Sequence, residues 1–543
     1  MSNTHRNPTD TEINAVIKFY TSGQIEEARA VLIRLTRKYP NEALLYNFLG
    51  VCYATLNQTE AAFGSFESAL RINPDNAEVH YNLGNTLKAC DRLNASIKSY
   101  TRALEINPFH ADTHINLGNA FKGIGNIEKA VSHYEHAIQI NPSYTEAHCN
   151  LGNTLHVIGN LEAAISCYQQ ALSIDPSDAE AHNCLGNTYN DLGKTDAALS
   201  AIEQALTIKP TNPQFWASYA TALHQKKFKT FNESFSNYLV KALQQPTINP
   251  NYIAPAIVSA LQQHPKIKLA IKASKNDLIE KNLPFFSDQL ASISLFLALL
   301  ENCPIADPQI EYLLTQMRRA TLNQLFDSVL NGIDFSFYYS LALHCFTNEY
   351  IFFETDEEIQ NVTKLENKIN YQVNNNLPIP PIWIVLLAAY RPLHNYLWAE
   401  QLQKTALPVN SHKILARQLF DIKKEQHLKT KIHQLTSIND STPNAVKEQY
   451  EQNPYPRWIN PGLFDNPKTI RENLHAINPQ LSIDDNHYSK MPNILIAGCG
   501  TGQHALNSQS RFLNCTVLAI DLSLNSLSYA MRKTHELSIT NIN

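Results

Sequence analysis

From about Thr9 to Asn212 apolar residues recur at steps of three and four in short blocks separated by polar breaks, which predicts a run of amphipathic helices. The blocks keep a common period. Prolines fall at 40, 74, 108, 142, 176 and 210, each 34 residues after the last. Leu49-Gly50, Leu83-Gly84, Leu117-Gly118, Leu151-Gly152 and Leu185-Gly186 keep the same step. So do the small residues Ala28, Ala62, Ser96, Ala130, Ala164 and Ala198, and the turn residues Gly23, Asn57, Asp91, Gly125, Gly159 and Gly193. Each unit therefore reads as helix–turn–helix. Leucines and aromatics form its core stripe, small residues permit close crossing, and the proline ends the second helix by removing an amide donor. Six units fit, and PQFWASYATALHQ, residues 213–225, reads as a decayed helix capping the open end.

Past Phe231 the period is lost, but helical apolar spacing persists at 287–303, 308–322 and 337–353. KASKNDLIEKN (272–282) and NYQVNNNLPIPP (370–381) read as loops. A polar linker, NDSTPN at 439–444, precedes VKEQYEQNPYPRW and a loop-rich stretch. The pattern then changes to strand (Asn493–Ala497), glycines at 498, 500 and 502, and a helix from about Gln503. A second strand, TVLAID, ends in Asp521 and leads into the amphipathic helix SLNSLSYAMRKTHEL. The expected fold is mainly α. An α-solenoid of repeats spans 9–246, a helical connector 247–438, and the beginning of a Rossmann-like α/β domain 445–543.

Charge is balanced, 44 Lys+Arg against 49 Asp+Glu, which gives no nucleic-acid footprint. The polar N-terminus MSNTHRNPTD has no signal-peptide core. The longest apolar run, Ile382–Tyr390, is far short of the ~20 residues of a membrane helix and is flanked by Pro381 and Pro392, so it reads as core. Nine cysteines, with no C-x-x-C pair, argue against a disulfide framework or a zinc site and fit a reducing cytoplasm.

The period of 34 with Leu49-Gly50…Tyr53, Ala62…Phe66 and Pro74 resembles the tetratricopeptide repeat. That resemblance implies a superhelix whose first helices line a concave groove. Two asparagine columns lie on those helices: Asn82, Asn116 and Asn150, then, three residues on, Asn85, Asn119, Asn153 and Asn187. A step of three puts both on one face, and each amide can donate to and accept from the backbone of an extended peptide. The ladders resemble those of protein O-GlcNAc transferase; the alternative is a set of merely solvated positions. The acidic column Glu78, Asp112, Glu146 and Glu180 reads as a solvated face, its alternative being a bias toward basic peptides. A basic clamp for a C-terminal carboxylate is not evident at Asn47, Tyr81, Ile115, Cys149 and Asn183. His80, His114, His148 and His182 also repeat. Helices about 8–10 Å apart are too far to share a metal at ~2 Å, so packing is the expected role. His344 and Cys345, adjacent on a helix, point apart and read as core rather than as base and nucleophile.

In the glycine-rich turn, glycine is needed where backbone turns sharply and approaches a ligand, and the following helix offers free amides. Asp521, 21 residues past Gly500, is placed to accept from ribose hydroxyls. GCGTG followed by VLAID resembles motifs I and II of class I S-adenosylmethionine-dependent methyltransferases, and VKEQYEQNPYPRW resembles the segment before motif I in bacterial fusions of tetratricopeptide repeats with such domains. The resemblance implies S-adenosyl-L-methionine as cofactor, with Gly498, Gly500 and Gly502 around its methionine end and Asp521 on its ribose. Family members commonly carry an acid two places before the first glycine; Ile496 stands there. Asn453-Pro454-Tyr455-Pro456 resembles an N-P-P-Y box but precedes the first strand, and reads as a structural prelude. Strand 4 of that family's sheet is absent before Asn543, which would leave a bare edge on the first strand; the expectation is a fragment of a longer protein or a frame-shifted gene.

Two functions stay open. One is methyl transfer to an acceptor recruited by the repeats, with the activity of this chain itself undecided. The other is a non-enzymatic scaffold binding an extended peptide or protein in its groove, with no nucleic acid and no membrane as partner.

Overall fold

The computed structural model describes residues 8–224, 226–325, 334–404, 408, 411–433, 451, 457–477 and 491–543. The linker at 439–444 and the Asn453–Pro456 stretch lie outside the described residues. The chain forms two compact units, Met1–Pro210 and Thr211–Asn543.

The described part of the first unit is all helical: α1 (Asp10–Thr21), α2 (Ile25–Lys38), α3 (Ala43–Thr55), α4 (Thr59–Ile72), α5 (Ala77–Ala89), α6 (Leu93–Ile106), α7 (Ala111–Gly123), α8 (Ile127–Ile140), α9 (Thr145–Val157), α10 (Leu161–Ile174), α11 (Ala179–Asp191) and α12 (Thr195–Ile208). They pair as six A/B hairpins. The six turn residues all take φ between +58° and +80°, which is why Gly, Asn and Asp hold those positions. Within a hairpin, a ring from helix B lies on the backbone of helix A. A Cβ at Gly84 would meet the Tyr100 ring at 2.5 Å, and one at Gly118 the Tyr134 ring at 2.7 Å. The leucine–glycine pair is thus a packing seat. Ala62, Ala130, Ala164 and Ala198 are fully buried, as close helix crossing requires. Successive A helices touch one another (α3 with α5, α5 with α7, α7 with α9, α9 with α11), a closeness the B helices do not reach, so the A helices line the inner face.

The repeated histidines have a defined job. Nε2 of His80, His114, His148 and His182 bonds to the carbonyl of Pro74, Pro108, Pro142 and Pro176 respectively, at 2.9–3.1 Å. Each staples helix A to the proline that ends the preceding helix B.

The second unit is mostly helical and carries one small sheet. Helix Pro381–Ala388 is buried nearly all round, as its sequence reads. Two segments expected as loops are partly helix. Pro265–Ser274 runs into the first, because Ile267, Ala270, Ile271 and Ala273 form a buried face up to its end. Asp356–Asn374 takes in the start of the second; a capping box of Thr355 and Glu358 starts it and Val362, Leu365 and Ile369 anchor it. Tertiary burial overrides local polarity in both. Glu358 also sits in a buried network with Arg318, Arg319 and Tyr390. His344 and Cys345 are both buried, with Arg318 beside Cys345.

Strands β1 (Asn493–Ala497) and β2 (Thr516–Ile520) pair in parallel, Asn493 opposite Thr516 and Ala497 opposite Ile520. Val517 also bridges to Ile542 in parallel. Helices Gln503–Arg511 and Leu524–Glu536 pack on the face of Ile496 and Val517. The beginning of a Rossmann-like domain was expected here; two short parallel strands are present, and they do not by themselves show one.

All nine cysteines are free. Among the described residues no single helix is long and apolar enough to cross a membrane; Glu280–Ala291 and Ser294–Asn302 pass that test only as a pair bent by 86°.

Candidate functional site

The two candidate sites lie in separate units. In the first, all seven predicted asparagines are half-buried on A helices. The two columns behave differently. In the second column, Tyr100, Tyr134 and Tyr168 of the B helices donate their hydroxyls to Oδ1 of Asn85, Asn119 and Asn153 at 2.7, 2.7 and 2.8 Å. With the oxygen engaged, each Nδ2 keeps its N–H groups for a ligand carbonyl. Asn187 lacks this support, because Ile202 packs at Gly186 where the other repeats have an aromatic ring.

In the first column the amide nitrogens are engaged by other side chains. Asn82 Nδ2 donates to Asn47 Oδ1 (3.1 Å), Asn116 Nδ2 to the Tyr81 hydroxyl (3.3 Å), and Asn150 Nδ2 to Glu146 (3.4 Å). Asn82 and Asn116 thus link neighbouring repeats, whereas Asn150 bonds within its own helix.

Three residues beyond the second column comes a row that sequence reading missed: Lys88, Lys122 and His156. It follows the same 34-residue step, and that step was the available signal. Lys88 Nζ reaches the next A helix and bonds Asn116 Oδ1 at 2.6 Å. His156 Nε2 meets Asp191 at 2.8 Å. Burial holds the amines of Lys88 and Lys122 below the ordinary lysine range. On the acidic column, Asp112 accepts from the Tyr144 hydroxyl, Glu146 from Asn150, and Glu180 lies 3.6 Å from Lys209.

In the second unit, Gly498, Gly500 and Gly502 take φ of +68°, +52° and +84°. A Cβ at Gly502 would strike Ala530 at 2.5 Å, so that glycine lets the turn sit on helix Leu524–Glu536. A Cβ at Gly498 or Gly500 would meet nothing within 4 Å. Their need is conformational, and the space beside them is open. Asp521 Oδ2 accepts from the Gly500 N–H at 2.7 Å, and Oδ1 from the Ser523 N–H at 2.9 Å. The structure therefore brings Asp521 against the glycine turn at Gly500. Burial, with the Asp521 carboxylate adding, pushes the Cys499 thiol up to about 12.

Ile496, standing where related motifs carry an acid, is buried with Ala505 and Val517. One further residue meets the turn and another the helix that follows β2. Trp458 Nε1 donates to the Thr501 carbonyl at 3.0 Å, and its ring is buried against Leu506 and Tyr529. Glu451 accepts from the N–H groups of Leu524 and Asn525, capping the helix after β2. Both lie in the prelude segment, whose resemblance had marked the region but not these residues.

Family models for the tetratricopeptide repeat match residues 14–77, 77–110 and 179–212, and a further TPR repeat model matches 124–159 and 156–193. The N-terminal unit is an array of tetratricopeptide repeats. Among solved structures, the array is similar to YrrB, titled "a TPR protein with an unusual peptide-binding site", at 22% identity over 36% of this chain and 96% of that one, with a TM-score of 0.31. It is also similar to a thermophilic TPR protein of Thermus thermophilus, at 26% identity over 34% and 99%, TM-score 0.28. A third is MamA from Desulfovibrio magneticus RS-1, at 20% identity over 31% and 95%, TM-score 0.29. No curated protein matches the chain.

Proposed function

We propose that the repeat array binds an extended peptide or protein segment along the second asparagine column, which makes the chain a protein-interaction scaffold. The observation that carries this is the engagement of Asn85, Asn119 and Asn153 by tyrosine hydroxyls, which holds three amides in a row with donors free for peptide carbonyls. Replacing Asn116 and Asn119 by Ala weakens binding of an extended peptide several-fold in this reading. Unchanged affinity, with helical circular dichroism intact, overturns it.

A second reading concerns the other unit: the strand–turn–strand is the start of a class I S-adenosylmethionine-dependent methyltransferase domain, coupled to the array that recruits its acceptor. Its support is the Gly500–Asp521 contact, the three positive-φ glycines and the open space beside two of them. These residues fit the cofactor. Gly498, Gly500 and Gly502 would wrap its methionine end and Asp521 would hold its ribose. The bound cofactor would supply an electrophilic methyl group, and the chain's part would be to hold it and bring the acceptor near. Calorimetry with S-adenosylmethionine tests this: heat that Asp521→Ala abolishes supports it, and no heat from folded protein overturns it. The nine free cysteines support a reducing, cytoplasmic setting.

A further inference from the structure

The groove has two charged edges. The acidic column stands at the start of each A helix and the Lys88–Lys122–His156 row near its end, ten residues or about 15 Å along the axis, with the asparagines between. The edges differ in burial: Glu78, Glu146 and Glu180 are exposed, whereas Lys88, Lys122 and His156 are half-buried. Asp112, Glu146 and Glu180 each have a partner from their own repeats. On the basic edge, His156 is paired with Asp191 and Lys88 with a neutral amide, Asn116. The acceptor one repeat along from Asn116 is Asn150, but it turns to Glu146 in its own helix. Among the described residues, Lys122 is thus left with no hydrogen bond or ion pair, although it is half-buried beside Asn119.

That arrangement constrains the occupant. A peptide laid along Asn85, Asn119 and Asn153 covers Lys88 and Lys122 further. Burying an ammonium without an opposing charge disfavours binding, whereas an acidic side chain at that register compensates it. We infer that the groove selects an extended peptide carrying an aspartate or glutamate on the Lys88–Lys122 edge. This rests on the peptide-groove reading above and reverses the bias toward basic peptides that the acidic column suggested.

The test uses the full chain and short labelled peptides of alternating Ser-Asp, Ser-Ala and Ser-Lys, with affinity read by fluorescence anisotropy. The Ser-Asp peptide binds about tenfold tighter than Ser-Ala, the range of one charge-assisted hydrogen bond. The preference falls to near parity in Lys122→Gln, because Ser-Ala no longer covers an unopposed charge and Ser-Asp no longer meets one. Lys122→Arg keeps the preference, and so does Lys98→Gln, which removes an exposed charge on α6 of the same unit. Non-specific attraction works the other way, because the chain carries a net charge of -5. Equal binding of Ser-Asp and Ser-Ala, or a preference that survives Lys122→Gln, overturns this inference and leaves the groove reading standing. If no peptide binds, the groove reading falls and this inference with it.

Discussion

The Tyr134 hydroxyl donates to Asn119 Oδ1 at 2.7 Å, from a ring that also lies on the backbone of Gly118. One side chain therefore sets the helix spacing and orients the groove amide beside it. Tyr134→Phe keeps the ring and removes only the hydroxyl. We expect a stability loss of about 1 kcal/mol and weaker peptide binding, since the Asn119 amide is then free to turn. Equilibrium urea unfolding and anisotropy of the same variant read the two effects; peptide affinity equal to that of the parent protein would separate tyrosine from groove.

At Gly118 the prediction is steric. An added methyl would lie 2.7 Å from the Tyr134 ring, closer than side chains pack, so ring or helix must shift. Gly118→Ala should destabilise the array by about 1–3 kcal/mol. The double change Gly118→Ala with Tyr134→Leu should recover part of that loss, a coupling measurable in a double-mutant cycle of urea midpoints.

The array should also respond to acid at one place. His114 and His133 face each other Nδ1 to Nδ1 at 3.1 Å, and His136 stacks on His114. Burial first, and then His114, His136 and Lys129, push His133 down to about 4; burial also lowers His114. The unfolded imidazole, near 6.5, takes up a proton before the folded one does. The stability these neutral rings contribute is therefore present above about pH 6.5 and is lost as pH falls from there toward 4, on the order of 2 kcal/mol. Native-state hydrogen exchange of α7 and α8 at pH 7 and pH 5, corrected for intrinsic rates, should show the loss, and His133→Gln should shrink it.

In the second unit Arg318 is buried over the Tyr390 ring at 4.0 Å, beside Glu358. Arg318→Ala removes the cation and leaves a buried carboxylate with less compensation, so a loss of about 3 kcal/mol is expected. Arg318→Ala with Glu358→Gln should lose less than the sum of the single changes by the same urea measurement.

Much of the first unit was legible because a 34-residue period repeats the same local demands. A glycine under a ring, a left-handed turn and a helix-ending proline are each written in residue type and spacing. The loops at 272–282 and 370–381 misread because polarity there describes exposure, whereas their helices persist through burial of Ile271 and Ile369 on the other face. The cofactor-like turn was legible as glycines plus a distant acid. The spacing did not say that Asp521 would bond Gly500 directly, that Trp458 would meet the same turn, or that Glu451 would cap the helix after β2.

The sequence by itself determined the helix pairs, their period and the residue types along the groove, because these follow from periodicity and backbone preference. Only the tertiary structure decided which of those polar groups are already satisfied. Tyr134 reaches Asn119 and Lys88 reaches Asn116 through contacts between helices that no spacing along one helix contains, and Lys122 is left over among the described residues. A hydrogen bond or a buried charge depends on what stands opposite, and what stands opposite is set by packing.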